Sequence, residues 1–254
     1  MTHRIVGLAL VACVAGFAAA APVSGATLLG PSPYLCFDRS GSPLAPAFTG
    51  SCGTADSPFA ATVKAGGFSY FHLETFEDHL FNTPGVTANN GGVTSVVFGP
   101  SIHDSVDADD GVIDGSGLNG DTFFSSGTPG ITFTFNAGVL GSLPTSAGIV
   151  WTDGAGTITF QAFDKDGVLI GTLTGNHADG SVNGETAEDR FYGVTDSDGI
   201  SKIFISNSSG GIEVDHLQYG LAAPASSGVP EPASLAVLGL GLAGLGLLRR
   251  RRAA

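Results

Sequence analysis

Between Thr27 and Gly228, no stretch of ten residues combines helical spacing of apolar side chains with freedom from glycine and proline. Glycine costs roughly 0.5–1 kcal/mol in a helix interior relative to alanine, and proline more, so long helices are excluded from most of the 254-residue chain. Period-two alternation replaces them. Ile131, Phe133 and Phe135 alternate with Thr132 and Thr134; Ile158, Phe160 and Ala162 alternate with Thr157, Thr159 and Gln161. Ile203 and Ile205 alternate with Lys202, Phe204 and Ser206, and further strand-like runs cover 68–76, 93–98, 147–151, 168–173 and 212–219. Turn signals fall between the runs: Asn89-Asn90-Gly91-Gly92, Asp153-Gly154, Asp166-Gly167 and Ser209-Gly210-Gly211. About eight short strands of this kind predict an all-β fold, a jelly-roll-like antiparallel β-sandwich over residues 67–221. A helix is admitted only as a short turn near Thr186–Phe191.

The two ends have a different texture. Arg4 followed by the apolar, small-residue run Ile5–Ala21 reads as a signal peptide, with Ser24-Gly25-Ala26 as a small-x-small cleavage site. Cleavage after Ala20 is the alternative, and Leu10-Val11-Ala12-Cys13 also reads as a lipoprotein box, although the apolar run continues past the cysteine. At the other end Val229-Pro230-Glu231-Pro232 precedes an apolar run from Ala233 to Leu248 and the cluster Arg249–Arg252. As a helix the run spans about 24 Å, short of a hydrocarbon core of about 30 Å. The arginines hold their end in the cytoplasm, which places everything before Pro230 across the membrane.

The triplet Pro230-Glu231-Pro232, the apolar span and the arginine cluster together resemble the PEP-CTERM sorting domain of exopolysaccharide-producing Gram-negative bacteria. The resemblance covers 229–254 and implies recognition by an exosortase-type membrane protease, removal of the tail and delivery to the cell surface or extracellular matrix. The expected organisation is a signal peptide over 1–26, a Pro-rich, loop-like, disulfide-bearing extension over 27–66 packed on the sandwich, the β-sandwich itself, a small Ala/Pro/Ser linker over 222–228 and the sorting signal.

With both end segments removed, five basic residues (Arg39, Lys64, Lys165, Arg190, Lys202) face 22 acidic ones, a net charge of −17. That balance excludes a nucleic-acid or anionic-membrane binder and suits a divalent-cation binder or a solubilising surface. Cys36 and Cys52 remain after removal of Cys13; in an oxidising compartment they are expected to form a disulfide.

The densest chemistry lies in Asp104-Ser-Val-Asp107-Ala-Asp109-Asp110-Gly111-Val-Ile-Asp114, where Asp107, Asp109, Asp110 and Asp114 are candidate calcium ligands. Calcium takes six to eight oxygen ligands, and an Asp/Gly-rich loop can fold carboxylates around it. The spacing departs from an EF-hand loop, with Val106 and Ala108 where that motif needs Asp or Asn, and a solvated acidic loop is the competing reading. The pairs Asp164/Asp166 and Asp196/Asp198 read as hairpin turns. On the last run, period two places Glu213, Asp215, Leu217 and Tyr219 on one face, so Asp215 shares an apolar face and needs a partner there. An acid after the first run of the sandwich (Phe76-Glu77-Asp78) and one on the last (Ile212–Leu217) loosely resemble jelly-roll carbohydrate-binding modules. That resemblance implies Glu77 and Asp215 as ligands of a structural calcium.

Catalytic signatures are absent: there is no G-x-S-x-G elbow and no H-E-x-x-H, and Gly115-x-Gly117-x-x-Gly120 lacks a βαβ context. Three function classes follow. The first is a non-catalytic surface or matrix protein that binds or organises exopolysaccharide, with calcium as the expected cofactor. The second is a self-associating structural matrix component, and the third a secreted polysaccharide hydrolase or lyase. Phe123, Phe124 and Tyr192 are the aromatics expected in loops, and Trp151 is expected in the core.

Overall fold

The computed structural model describes residues 25–38, 51–94 and 104–224. Ten strands form one open antiparallel sheet: β1 (Thr27–Pro33), β2 (Phe68–Glu74), β3 (Val86–Ala88), β4 (Gly92–Val93), β5 (Phe123–Ser125), β6 (Ile131–Phe135), β7 (Ser146–Asp164), β8 (Leu169–Gly175), β9 (Arg190–Thr195) and β10 (Ile200–Ala222). Two strands, β7 and β10, are far longer than the rest and pair with each other from Asp164/Ile200 to Ser146/Gly220.

Each long strand serves two layers. The first part of β7 pairs with β9, and β9 with β1; the last part of β10 pairs with β2. Past the bend, β7 pairs with β8, and the first part of β10 pairs with β6, which carries β3. The β5–β4 pair hangs on Ile212–Val214 at the bend itself. Asp153-Gly154 and Ser209-Gly210-Gly211, expected to reverse the chain, instead lie inside the long strands. The register shifts around Ser209, and Gly154, Gly156 and Gly210 take φ of 149°, 83° and 70°. Glycine at these angles lets the ladder bulge and bend without ending the strand. The two layers of the sandwich are therefore halves of one folded sheet.

The halves close on a shared core. Phe135 of β6 meets Tyr219 of β10 at 5.1 Å, and Phe160 of β7 stacks on Tyr192 of β9 at 5.8 Å. Trp151 is fully buried, and its indole N–H donates to Asn207 Oδ1 at 2.8 Å. Tyr192 and Phe123 belong to this core rather than to loops.

The amino-terminal segment, expected as a loop-like extension, contributes strand β1 and a five-residue helix α1 (Ala60–Lys64). Tyr34, Phe37, Phe59, Ala60 and Val63 pack with Phe71, Val150 and Phe191 as a second apolar cluster on the outer face of the first half-sheet. That cover explains why residues 146–153 and 212–220 are buried on both faces while 158–162 and 200–207 alternate. Cys36 and Cys52 form a disulfide beside Ala108. The turns Asp164–Val168 and Asp196–Gly199 join β7 to β8 and β9 to β10, as the Asp/Gly pairs predict. Thr186–Phe191 forms no helix; it is a turn running into β9, and a one-turn helix lies at Ala137–Leu140 instead. Of the expected run 93–98 only Val93 belongs to a strand among the described residues. No helix among the described residues is long and apolar enough to cross a membrane; the run Ala233–Leu248 and the amino-terminal apolar run both lie outside them.

Phe160→Ala should lower unfolding stability by about 3–5 kcal/mol, the usual loss for an aromatic removed from a packed core. Replacing both Cys36 and Cys52 by serine should cost about 3 kcal/mol in the chain-entropy treatment of a loop this size. Urea titrations of the oxidised protein check both values.

Candidate functional site

The acidic loop does not act as one ligand ring. A 3₁₀ turn, Asp107–Asp110, ends at Gly111 in the left-handed conformation (φ 94°) and disperses the carboxylates. Asp107 is buried and accepts from the Asp114 and Gly115 amides and from the Thr186 hydroxyl, so it pins the loop. Asp110 and Asp114 are exposed and accept only from amides two residues on, at Val112 and Ser116. These three are not brought to Glu77 and Asp215. Asp109 is.

Glu77, Asp109 and Asp215 converge on one hydroxyl. Ser105 Oγ lies 3.5 Å from Glu77 Oε1, 3.1 Å from Asp109 Oδ2 and 3.0 Å from Asp215 Oδ2. A serine hydroxyl has one proton and can satisfy one of the three. Asp215 also accepts from the Val106 and His216 amides, and Glu77 from the Asp121 amide. Around Asp109 a polar chain runs inward: Gln218 Nε2 donates to the Tyr34 hydroxyl, which meets His216 Nδ1 at 2.7 Å. The tyrosine proton then goes to Nδ1, which leaves Nε2–H as the donor to Asp109 at 2.8 Å. Gly120 and Gly117 pack against Ser105: a Cβ at Gly120 would sit 2.2 Å from its Oγ, and one at Gly117 2.1 Å from its carbonyl oxygen. That close approach accounts for Gly117 and Gly120, while Gly115 has open space around it and a φ of 88°.

The expected face of Asp215 is corrected by a bulge. The register with β7 shifts between Asp215 and Gln218, and His216 there has φ 44°. One extra residue inverts the parity, so Leu217 and Tyr219 join the core while Asp215 faces the loop that carries Ser105. Phe76 (φ 59°) and His79 (φ 64°) flank Glu77, so all three non-glycine residues with positive φ among the described residues border this cluster. Such conformations cost of order 1–3 kcal/mol each and persist where packing over-determines them.

A second acid group, unforeseen from the sequence, lies on the far side of the same loop. One carboxylate oxygen from each of Asp104, Asp153 and Glu188 falls within 4.8 Å of the others. Glu213 stands beside them, accepting from the Asp104 amide and the Thr122 hydroxyl. Asp104, Asp153 and Glu213 line a cleft of about 410 Å³ whose other walls include Phe124, Leu118 and Val182. Among the described residues, Asp104 Oδ1 is buried with no hydrogen-bond partner, and so are both oxygens of the fully buried Asp189. Among the described residues no lysine or arginine ion-pairs with any of these acids; Lys64 binds Asp38 and Lys165 binds Asp166.

Burial first, and then mutual repulsion, raise these groups. Asp104 is pushed up to about 9, Glu77 to about 8, and Glu188 and Glu213 to about 7. Asp153 rises to about 6 by burial, against the pull of the Gly154 amide. Asp189 and Asp215 are raised well above the ordinary range by burial and by neighbouring carboxylates.

Residues 228–252, which contain Pro230, Glu231 and Pro232, match the family model of the PEP-CTERM protein-sorting motif. The chain carries a PEP-CTERM sorting signal. That motif marks an exported, exosortase-sorted surface protein whose precursor is held in the membrane. The matched segment lies outside the described residues and does not overlap either acid group. Comparison with curated proteins and with solved structures returns no match.

A carboxylate with a raised folded-state value contributes stability that is complete below its unfolded value and is lost as pH rises through the folded one. In chelator, the melting temperature should therefore fall from about pH 4, the unfolded carboxylate range, to about pH 9. A flat or rising profile in differential scanning calorimetry would contradict the arrangement. Asp189→Asn, which has no ionised form, should raise the melting temperature at pH 8 and leave it nearly unchanged at pH 4.

Proposed function

We propose that this exported protein is a non-catalytic component of the cell surface or extracellular matrix that organises exopolysaccharide, with a structural calcium among Glu77, Asp109 and Asp215. The observation that carries the calcium reading is the Ser105 hydroxyl, whose single proton faces three carboxylates. A hard cation with carboxylate and hydroxyl ligands satisfies all of them at once, and extracellular calcium modules work at Kd of about 10⁻⁴–10⁻³ M. Asp107, Asp110 and Asp114 have no part in it. Asp107 holds the loop in place, and the other two remain solvated.

The polysaccharide reading draws on the sorting route and on the cleft, where an oxygen-rich acidic floor meets the apolar walls of Phe124, Leu118 and Val182. A sugar ring offers hydroxyls at its edge and C–H groups on its face, and suits both. The same cleft gives the one observation that favours a hydrolase, since its lining includes Asp153 and Glu213, cross-strand partners raised to about 6 and about 7. Asp153 also brings one oxygen within 4.8 Å of one from Glu188 and one from Asp104, close to the about 5–5.5 Å between the two carboxyls of a retaining glycosidase. Convergence of three carboxylates rather than two favours a shared cation over a bond to be cut.

Thermal melts of the full-length protein in detergent, with calcium and with chelator at constant ionic strength, test the calcium site. Stabilisation by about 2.7 kcal/mol is expected from this site at a hundredfold excess over Kd, and the Glu77→Gln, Asp215→Asn variant should lose that part of the shift. No shift in the wild type sinks the calcium site. Co-sedimentation with the host's own exopolysaccharide should require calcium; a protein that stays in the supernatant in both conditions sinks the polysaccharide reading. Release of reducing ends that stops on Asp153→Asn would establish the hydrolase instead.

A further inference from the structure

We infer that Asp104, Asp153 and Glu188 form a second divalent-cation site, separate from the cluster around Ser105 and open to the cleft. The geometry fits one ion. Oxygens bound to calcium at about 2.3–2.6 Å lie no more than about 4.6–5.2 Å apart, and one oxygen from each of the three carboxylates meets that limit.

The second observation is Asp104 itself. Only 4 % of its surface is exposed, and its Oδ1 has no hydrogen-bond partner among the described residues. A buried acceptor left unmatched costs about 1–3 kcal/mol, more when charged, and native interiors leave few of them. The backbone around it is arranged to hold the carboxylate in place: the Asp104 amide donates to Glu213 Oε2 at 3.0 Å, and the Ser105 amide donates to the Gly117 carbonyl. Asp153 is fixed from the opposite strand, where it pairs in register with Glu213 and its Oδ1 accepts from the Gly154 amide. Glu188 comes from the turn before β9 and is also grouped with Asp179 and Glu185, which carry negative charge toward the surface and give an entering cation a path.

Three carboxylates supply three to six of the six to eight oxygens that calcium takes. The remaining positions face the cleft, where water or an oxygen of a bound saccharide completes the shell. The saccharide part rests on the polysaccharide reading; the cation site does not.

The test counts bound calcium by equilibrium dialysis of the full-length protein in detergent, at constant ionic strength. The wild type should hold one more ion per chain than the Asp104→Asn, Glu188→Gln variant. That variant should keep the calcium-induced melt shift assigned to Glu77 and Asp215, which also reports that it folds. Asp153→Asn alone gives an independent variant and should weaken the same ion without affecting the other. Equal ion counts in the wild type and in both variants would overturn the site, whatever happens at Glu77. If the Glu77→Gln, Asp215→Asn variant loses its ion and the cleft variants lose none, the Ser105-centred site stands and this one falls. If the cleft variants lose an ion while no melt shift depends on Glu77 and Asp215, this site stands alone. Calcium-dependent retention of a uronic-acid oligosaccharide that disappears with Asp104→Asn, Glu188→Gln supports the open coordination. Retention equal in that variant and the wild type places the saccharide elsewhere and overturns the open-shell part.

Discussion

The ladder between β7 and β10 is the interaction on which the rest of this protein depends. Both strands run through both layers, so the hydrogen bonds between them set the register of every other strand at once. The irregularities in that ladder do the positioning. The shift around Ser209 folds the sheet in two and brings β5 against Ile212–Val214, while the shift at His216 turns Asp215 out of the core. A sheet with perfect alternation would have buried Asp215 among Leu217 and Tyr219, where a carboxylate has no partner.

The second constraint is electrostatic. With five basic residues in the exported part, the protein has little positive charge of its own to offer its buried acids. It uses backbone amides where it can, at Asp107 and Glu74, and both carboxylates become fasteners for the loops they hold. Around Ser105 and in the cleft amides reach Asp215, Glu77, Asp153 and Glu213, but they do not offset the burial of these acids. There Glu77 and Asp104 are raised well above ordinary carboxylates, so cation binding at either group is coupled to release of protons.

Much of the fold was legible because alternation is a local signal: Ile131–Phe135, Ile158–Ala162 and Ile203–Ile205 all point their apolar side chains into the core. The Asp-Gly hairpins were legible for the same reason. Glycine at a bend inside a strand looks like glycine at a turn, so Asp153-Gly154 and Ser209-Gly210-Gly211 were misread as chain reversals. That residues 27–66 pack on the sandwich was legible, but the cover formed by Tyr34, Phe37 and Phe59 was not, because it depends on packing with Val150 and Phe191, about ninety or more residues away. At the site, Glu77 and Asp215 were visible as acids bracketing the sandwich. The meeting of Asp104, Asp153 and Glu188 was not, since no spacing in the chain links a loop, a strand bend and a turn.

One feature of the topology reaches back to how the molecule comes into being. The chain is synthesised from its amino end, and β10, the strand that touches β2, β5, β6 and β7, is the last strand to exist among the described residues. Until it emerges, its partners present open edges and the interior between the halves has no middle. Most of the contacts span long stretches of sequence, which slows folding further. Only β1, β9, β7 and β8, with the short β3–β6 and β4–β5 pairs, can form ladders before that, so closure of the core waits for β10, a delay suited to a chain that must first be threaded across a membrane.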